Sequence, residues 1–109
     1  MPDQFYKTQR WERLREKILR RDEYRCQECK RYGRLTQGTT VHHIFPREDF
    51  PEIRWEPWNL TTLCPECHNA MHDRNTNKLT DRGMALVYRV ARSKGLSEEM
   101  LNKVSNHAD

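Results

Sequence analysis

Cys26 and Cys29 form one C-x-x-C pair, and Cys64 and Cys67, in the run Cys64-Pro65-Glu66-Cys67, form a second after a gap of thirty-four residues. Each pair can chelate, and four thiolates satisfy the tetrahedral preference of Zn²⁺ with no position left open for chemistry, so the site they make is structural. Two disulfides, in any of three connectivities, are the competing use of four cysteines. The chain is 33% charged and shows no signal-peptide core, so its thiols are expected to stay reduced, which favours zinc. The gap exceeds the usual ribbon spacing, so further structure is inserted between the pairs.

Four of the five histidines share this stretch. His68 and His72 are four apart, which on a helix places both imidazoles on one face within reach of one cation. Asn69, Ala70 and Met71 include neither Gly nor Pro, and the second cysteine pair pins the amino-terminal end, so a helix is expected there. The pair then needs another ligand from elsewhere. His42 and His43 lie in the run Thr39-Thr40-Val41-His42-His43-Ile44, whose β-branched residues favour a strand, where neighbours face opposite sides. One of the two can bind metal while the other faces elsewhere. His107, alone near the carboxy terminus, is not expected to be a ligand.

Other elements must position these residues. From Thr8 to Asp22, Trp11, Leu14 and Ile18 recur at helical spacing, with Arg10, Arg13, Arg15, Lys17, Arg20 and Arg21 around them, which predicts an amphipathic helix packed on the core. Phe5 and Tyr6 precede it as anchors of no readable role. Arg31 to Arg34 and Gln37-Gly38 read as turns leading into the histidine strand, which Phe45-Pro46 ends. A loop over Asp49–Trp58 follows, and its Trp55 and Trp58 are expected to pack over the hairpin rather than stack on bases. Glu48, Asp49, Glu52 and Glu56 are expected on a solvated loop rather than at the metal. Leu60 to Cys64 is the returning strand, and Arg74 to Lys78 a polar link. Thr80 caps a helix from Asp81 to Lys94, with Met84, Val87, Tyr88 and Ala91 on one stripe and Gly95 as its stop. Ser97 starts another, with Glu98 and Glu99 at its amino end and Met100, Leu101 and Val104 as its apolar edge.

The joint order of cysteine pair, His42-His43, Asn59, cysteine pair and His68-x-x-x-His72 resembles the HNH endonuclease family, with its ββα-metal fold. The resemblance covers residues 26–73, and the lead-in from Trp11 through Asp22 is similar to the helix preceding the knuckles in small free-standing phage and bacterial members. It implies an α+β fold, a small zinc-stabilised ββα-metal core with an N-terminal helix and C-terminal helices. The expected layout is one domain, 1–109, with a helical arm (1–25), a zinc-stapled core (26–73) and a helical extension (74–109). It further implies that His42, His68 and His72 hold one catalytic divalent ion, that His43 is the general base, and that Asn59 ties the loop to itself and so fixes the strand carrying His43. Many members carry an acidic residue where His42 stands, and many lack a histidine at the place of His72; the three-histidine set is similar to the colicin-type nucleases. Three imidazoles favour Zn²⁺, Ni²⁺, Co²⁺ or Mn²⁺ over Mg²⁺ by ligand softness, although availability and a bound phosphate can admit Mg²⁺.

The net charge of +4 is segregated. Residues 1–38 hold eleven Lys or Arg against six acids, residues 39–73 two against six, and residues 74–109 seven against four. Basic flanks suit a duplex partner through phosphate contacts and counterion release, with Arg20, Arg21, Arg47 and Arg74 as candidates, and solvated helix faces are the competing use of the same charge. At 109 residues the chain buries only about two thirds of its unfolded surface, so a structural metal is expected to supply stability that the core does not. The expected function is a metal-dependent DNA endonuclease that nicks or cuts DNA, with one divalent ion and a histidine base. The alternative is a zinc-ribbon-like module that binds nucleic acid or protein without catalysis, and His43 separates the two because a ribbon does not need it. No run of eighteen apolar residues appears, so a cytoplasmic rather than membrane location is expected. The resemblance adds a phage packaging (terminase) complex as a partner.

Overall fold

A computed structural model of the chain describes residues 4–105, and His107 lies outside them. Its centre is an antiparallel hairpin of β1 (Thr40–His43) and β2 (Leu60–Leu63), paired Thr40 to Leu63, Val41 to Thr62, His42 to Thr61 and His43 to Leu60. The two-residue period of a strand divides its side chains between two apolar clusters. Val41 and Leu60 join Trp11, Ile18 and Leu19 of α1 (Gln9–Arg21), while Ile44 and Leu63 join Phe45, Phe50, Met71, Leu79 and Val87 on the other side.

Helix α1 starts where expected, because the Thr8 hydroxyl accepts from the Trp11 amide at 3.1 Å. It ends at Asp22, and Glu23 and Tyr24 then take left-handed backbone, with φ of 57° and 56°. The Asp22 carboxylate accepts the Thr62 amide of β2 at 3.0 Å and two Arg21 N–H groups, each at 2.9 Å. Arg21 reaches on to the carbonyls of Pro57 (2.9 Å) and Leu60 (2.7 Å), so the end of α1 is stapled to the returning strand.

Two five-residue helices, α2 (Gln27–Arg31) and α3 (Pro65–Asn69), each begin on a cysteine. The Sγ atoms of Cys26 and Cys64 accept the amides of Cys29 and Cys67 at 3.4 and 3.5 Å, so each C-x-x-C pair is its own helix cap. The helix expected to carry both His68 and His72 stops short at Asn69. Met71 donates to the His68 carbonyl at 3.1 Å, a tighter turn, and His72 pairs instead with Leu79 in an isolated bridge. Thr80 fixes this end, its hydroxyl donating to the Ala70 carbonyl at 2.6 Å and its amide to Met71 at 2.9 Å.

Helix α4 (Asp81–Lys94) has Thr80 as its cap and Gly95, at φ 66°, as its left-handed stop. Its buried stripe is Gly83, Met84, Leu86, Val87 and Ala91, and Tyr88 stands at the margin, exposed rather than inward as its spacing suggests. Gly83 is required by close approach, since a Cβ there would meet the Met71 carbonyl oxygen at 2.5 Å. Helix α5 (Glu98–Ser105) follows and buries Val104. The buried Glu28 of α2 accepts from Arg89 of α4 at 2.6 Å, a link that no local pattern announces. Trp55 packs against Phe5 and Trp58 against Phe45, as expected of large aromatics. Among the described residues no helix is long and apolar enough to cross a membrane.

Candidate metal centres and active site

The four cysteines are free, buried, and place their Sγ atoms within 4.8 Å of one another, with Cys29 at 4.0 Å from Cys64 and 3.8 Å from Cys67. A tetrahedral cation with metal–sulfur bonds of about 2.3 Å spaces its sulfurs about 3.8 Å apart, so the cluster fits such an ion. Burial, and then the neighbouring sulfurs, push the Cys67 thiol up, a cost of ionisation that a divalent cation reverses.

The second centre forms on the α3 side of the hairpin. His42 of β1, His68 of α3 and His72 at its bridge each offer a ring nitrogen, all within 4.8 Å of one another. Ring centroids are 5.3 Å apart for His42 and His72, 5.5 Å for His42 and His68, and 6.0 Å for His68 and His72. His42 is only 2% exposed, and its Nε2 has no hydrogen-bond partner among the described residues. An unsatisfied buried polar atom costs about 1–3 kcal/mol, and a coordinated cation would remove that cost. Burial lowers the pKa of all three, helped for His42 by His72, His68 and His43 and for His72 by His68. All three rings are therefore neutral near pH 7, the form that can bind a cation. His72 is held by the 73–78 turn, where the Asp73 carboxylate accepts the amides of Asn75 at 2.8 Å and Thr76 at 3.0 Å.

His43 turns to the other side of the strand. Its Nε2 lies 3.0 Å from the Arg54 carbonyl oxygen. A carbonyl only accepts, so Nε2 carries the proton and the lone pair of the neutral ring is on Nδ1. Burial lowers the His43 pKa and the Arg54 hydrogen bond partly opposes it. Asn59, fully buried, accepts the Phe45 amide at 2.7 Å and donates to the carbonyls of Phe45 (3.2 Å) and Ile53 (3.4 Å). One side chain thus pins the exit of β1 and the residue just before Arg54, whose carbonyl holds His43.

His42, His43, His68 and His72 line one cleft of about 450 Å³, with Tyr6, Arg47 and Lys78 in its walls. Exposed Glu48 and half-buried Asp49 line it too, although neither is among the residues whose ligand atoms converge with the three histidines. The Phe50 amide donates to the Pro46 carbonyl at 3.0 Å and the Phe50 ring is buried, which folds that stretch back over the site, whereas Glu52 and Glu56 stay exposed. Of the four candidate arginines, Arg47 lines the cleft and Arg74 a neighbouring pocket shared with His68 and His72. Arg20 pairs with Glu16 on the outer face of α1, and Arg21 is spent on the staple to β2. Lys78, Phe5, Tyr6 and Trp11 complete the surroundings without any sequence signal, since each needs the folded chain to bring it there.

The family described as HNH endonuclease matches residues 26–74. No curated protein matches the chain. Among solved structures it is similar to a crystal structure of an HNH endonuclease with manganese ion from the deep-sea thermophilic bacteriophage GVE2, with 38% identity and a TM-score of 0.58 over 60% of this chain and 71% of that one. The two cysteine pairs, the paired strands and the histidine cluster all fall within the matched span, and the chain belongs to the HNH endonuclease family.

Proposed function

We propose that this chain is a metal-dependent endonuclease that hydrolyses phosphodiester bonds in DNA with one divalent ion and His43 as general base. The observation that carries the reading is the division of labour across one strand: His42 and His43 are consecutive, face opposite sides, and still line the same cleft. His42, His68 and His72 would hold the ion, and the manganese in the similar phage structure supports Mn²⁺ among Mg²⁺, Mn²⁺, Co²⁺, Ni²⁺ and Zn²⁺. When bound, that ion supplies Lewis-acid stabilisation of the scissile phosphate and its leaving oxygen.

His43 does the rest of the proton work. Its Nδ1 accepts a proton from the attacking water while Nε2–H donates to the Arg54 carbonyl, which also stabilises the imidazolium that results. Asn59 keeps that carbonyl and the end of β1 in fixed relation. Arg47 and Arg74 flank the cleft and supply positive charge for the DNA backbone. The four cysteines hold a structural Zn²⁺. A ribbon-like binding module has no use for a fourth histidine that lines the same cleft as a three-histidine cluster. The phage source of the similar structure supports work in a host cytoplasm, and the family resemblance alone suggests a packaging (terminase) complex as partner.

A plasmid-relaxation assay with each divalent ion, against EDTA, tests the activity. Relaxation or linearisation that EDTA abolishes is the expected result. DNA binding without cleavage by any ion would favour the binding module.

A further inference from the structure

Phe5 lies outside the span matched by the family, yet its ring packs on the proposed base. Among the described residues His43 has a hydrogen bond at one nitrogen only, 3.0 Å to the Arg54 carbonyl, and a single bond leaves an imidazole able to pivot about its Nε2···O line. The remaining restraint comes from rings. Trp11 stacks on His43 with centroids 5.4 Å apart and planes 20° from parallel, and Phe5 meets it edge-on at 5.7 Å and 61°. Phe5 is itself wedged, 5.4 Å from Trp11 and 4.6 Å from Trp55, with the Arg47 guanidinium 4.5 Å over its ring.

We propose that Phe5, backed by Trp11, is a positioning residue for the reaction: a wedge that stops the His43 ring from pivoting and keeps the Nδ1 lone pair on one heading. This rests on the reading of His43 as the base. Misplacement of a reacting group by about 1 Å can cost up to about 100-fold in rate, so a ring that merely fills space and a ring that sets a heading differ measurably. Phe5 is the better probe than Trp11, because Trp11 is buried in the α1 core and Phe5 is only half-buried on the terminal turn.

The test is a double-mutant cycle on full-length, zinc-loaded protein, read as single-turnover plasmid cleavage at saturating enzyme and divalent ion. Saturation removes from the rate any change in DNA affinity that travels through Arg47. Phe5→Ala is expected to lose about 10-fold in rate and Phe5→Tyr to recover most of it. In a His43→Ala background the same Phe5→Ala change is expected to alter the residual rate by less than about twofold, since the partner it acts through is gone. Equal losses in the two backgrounds, or a wild-type rate for Phe5→Ala alone, overturn the proposal. A wild-type rate for His43→Ala instead overturns the base assignment itself. If the His43→Ala rate is too low to measure, long-range ¹H–¹⁵N spectra of the histidine rings decide. Doubled or exchange-broadened His43 ring signals in Phe5→Ala, absent from the wild type, support the wedge, and a single sharp His43 ring signal like that of the wild type overturns it. Should Phe5→Ala fail to fold, Phe5→Leu takes its place in the cycle.

Discussion

Adjacent histidines on one strand invite opposite outcomes when removed. His43→Ala is expected to keep fold, bound ions and DNA affinity while losing roughly 10² to 10⁴ in rate, the usual worth of a positioned base. His42→Ala, by contrast, is expected to lose the divalent ion at the histidine centre, which isothermal titration with Mn²⁺ reads directly; retained ion affinity would remove His42 from the ligand set. As the proposed base, His43 would work only when neutral, and burial holds its pKa below the ordinary 6.5, so the neutral form persists to lower pH than a free histidine allows. The rate is therefore expected to rise with pH through a midpoint below 6.5 and to be flat at neutrality, and a midpoint at 7.5 would contradict the direction of that shift. The strand period makes the opposition of His42 and His43 legible from spacing. What spacing does not carry is the tautomer, because that depends on the Arg54 carbonyl, eleven residues away in a loop of short 3-10 turns.

Elements that begin and end on side chains were legible, and those decided by distant backbone were not. Thr8, Thr80 and Gly95 mark their helix ends in the sequence and do so in the structure. The end of α3 is different: it is set by Thr80, which takes the Ala70 and Met71 carbonyls, and by the bridge of His72 to Leu79. His72 reaches the cluster by that route rather than by helical spacing. The attachment of α4 to the first knuckle depends on Glu28 and Arg89, sixty-one residues apart. Glu28 is nearly fully buried, and its other cation, Arg31, stands back at 3.8 Å. Truncating one partner of such a pair leaves a buried charge poorly compensated, so Arg89→Ala is expected to destabilise the protein by about 3 kcal/mol in denaturant unfolding. The double change Glu28→Gln with Arg89→Met is expected to recover much of it, because no charge is then left alone. A loss below about 0.5 kcal/mol for Arg89→Ala would mean that solvent already screens the pair.

At the scale of the whole molecule, the two candidate metal centres both draw on α3 and answer to different forces. The cysteine cluster joins α2 and α3, which at five residues each are far too short to be stable alone, and it closes an otherwise small core. The histidine cluster joins residues that the hairpin, the α3 turn and the 73–78 turn already hold by hydrogen bonds, and two of its three histidines are partly open to solvent. Stripping ions in stages should therefore separate fold from activity. Dialysis against EDTA is expected to abolish cleavage with far-ultraviolet circular dichroism unchanged and about one zinc per chain remaining by elemental analysis. Displacing that zinc with a thiol reagent, or replacing Cys26 or Cys64 by Ser, is expected to collapse the dichroism as well, because the sulfurs left behind lose the cation that makes their burial tolerable. A chain that folds with Cys26→Ser and still cleaves would show that the hairpin clusters suffice without zinc. Elemental analysis that finds no zinc, together with absent free thiols, would return the four cysteines to disulfides.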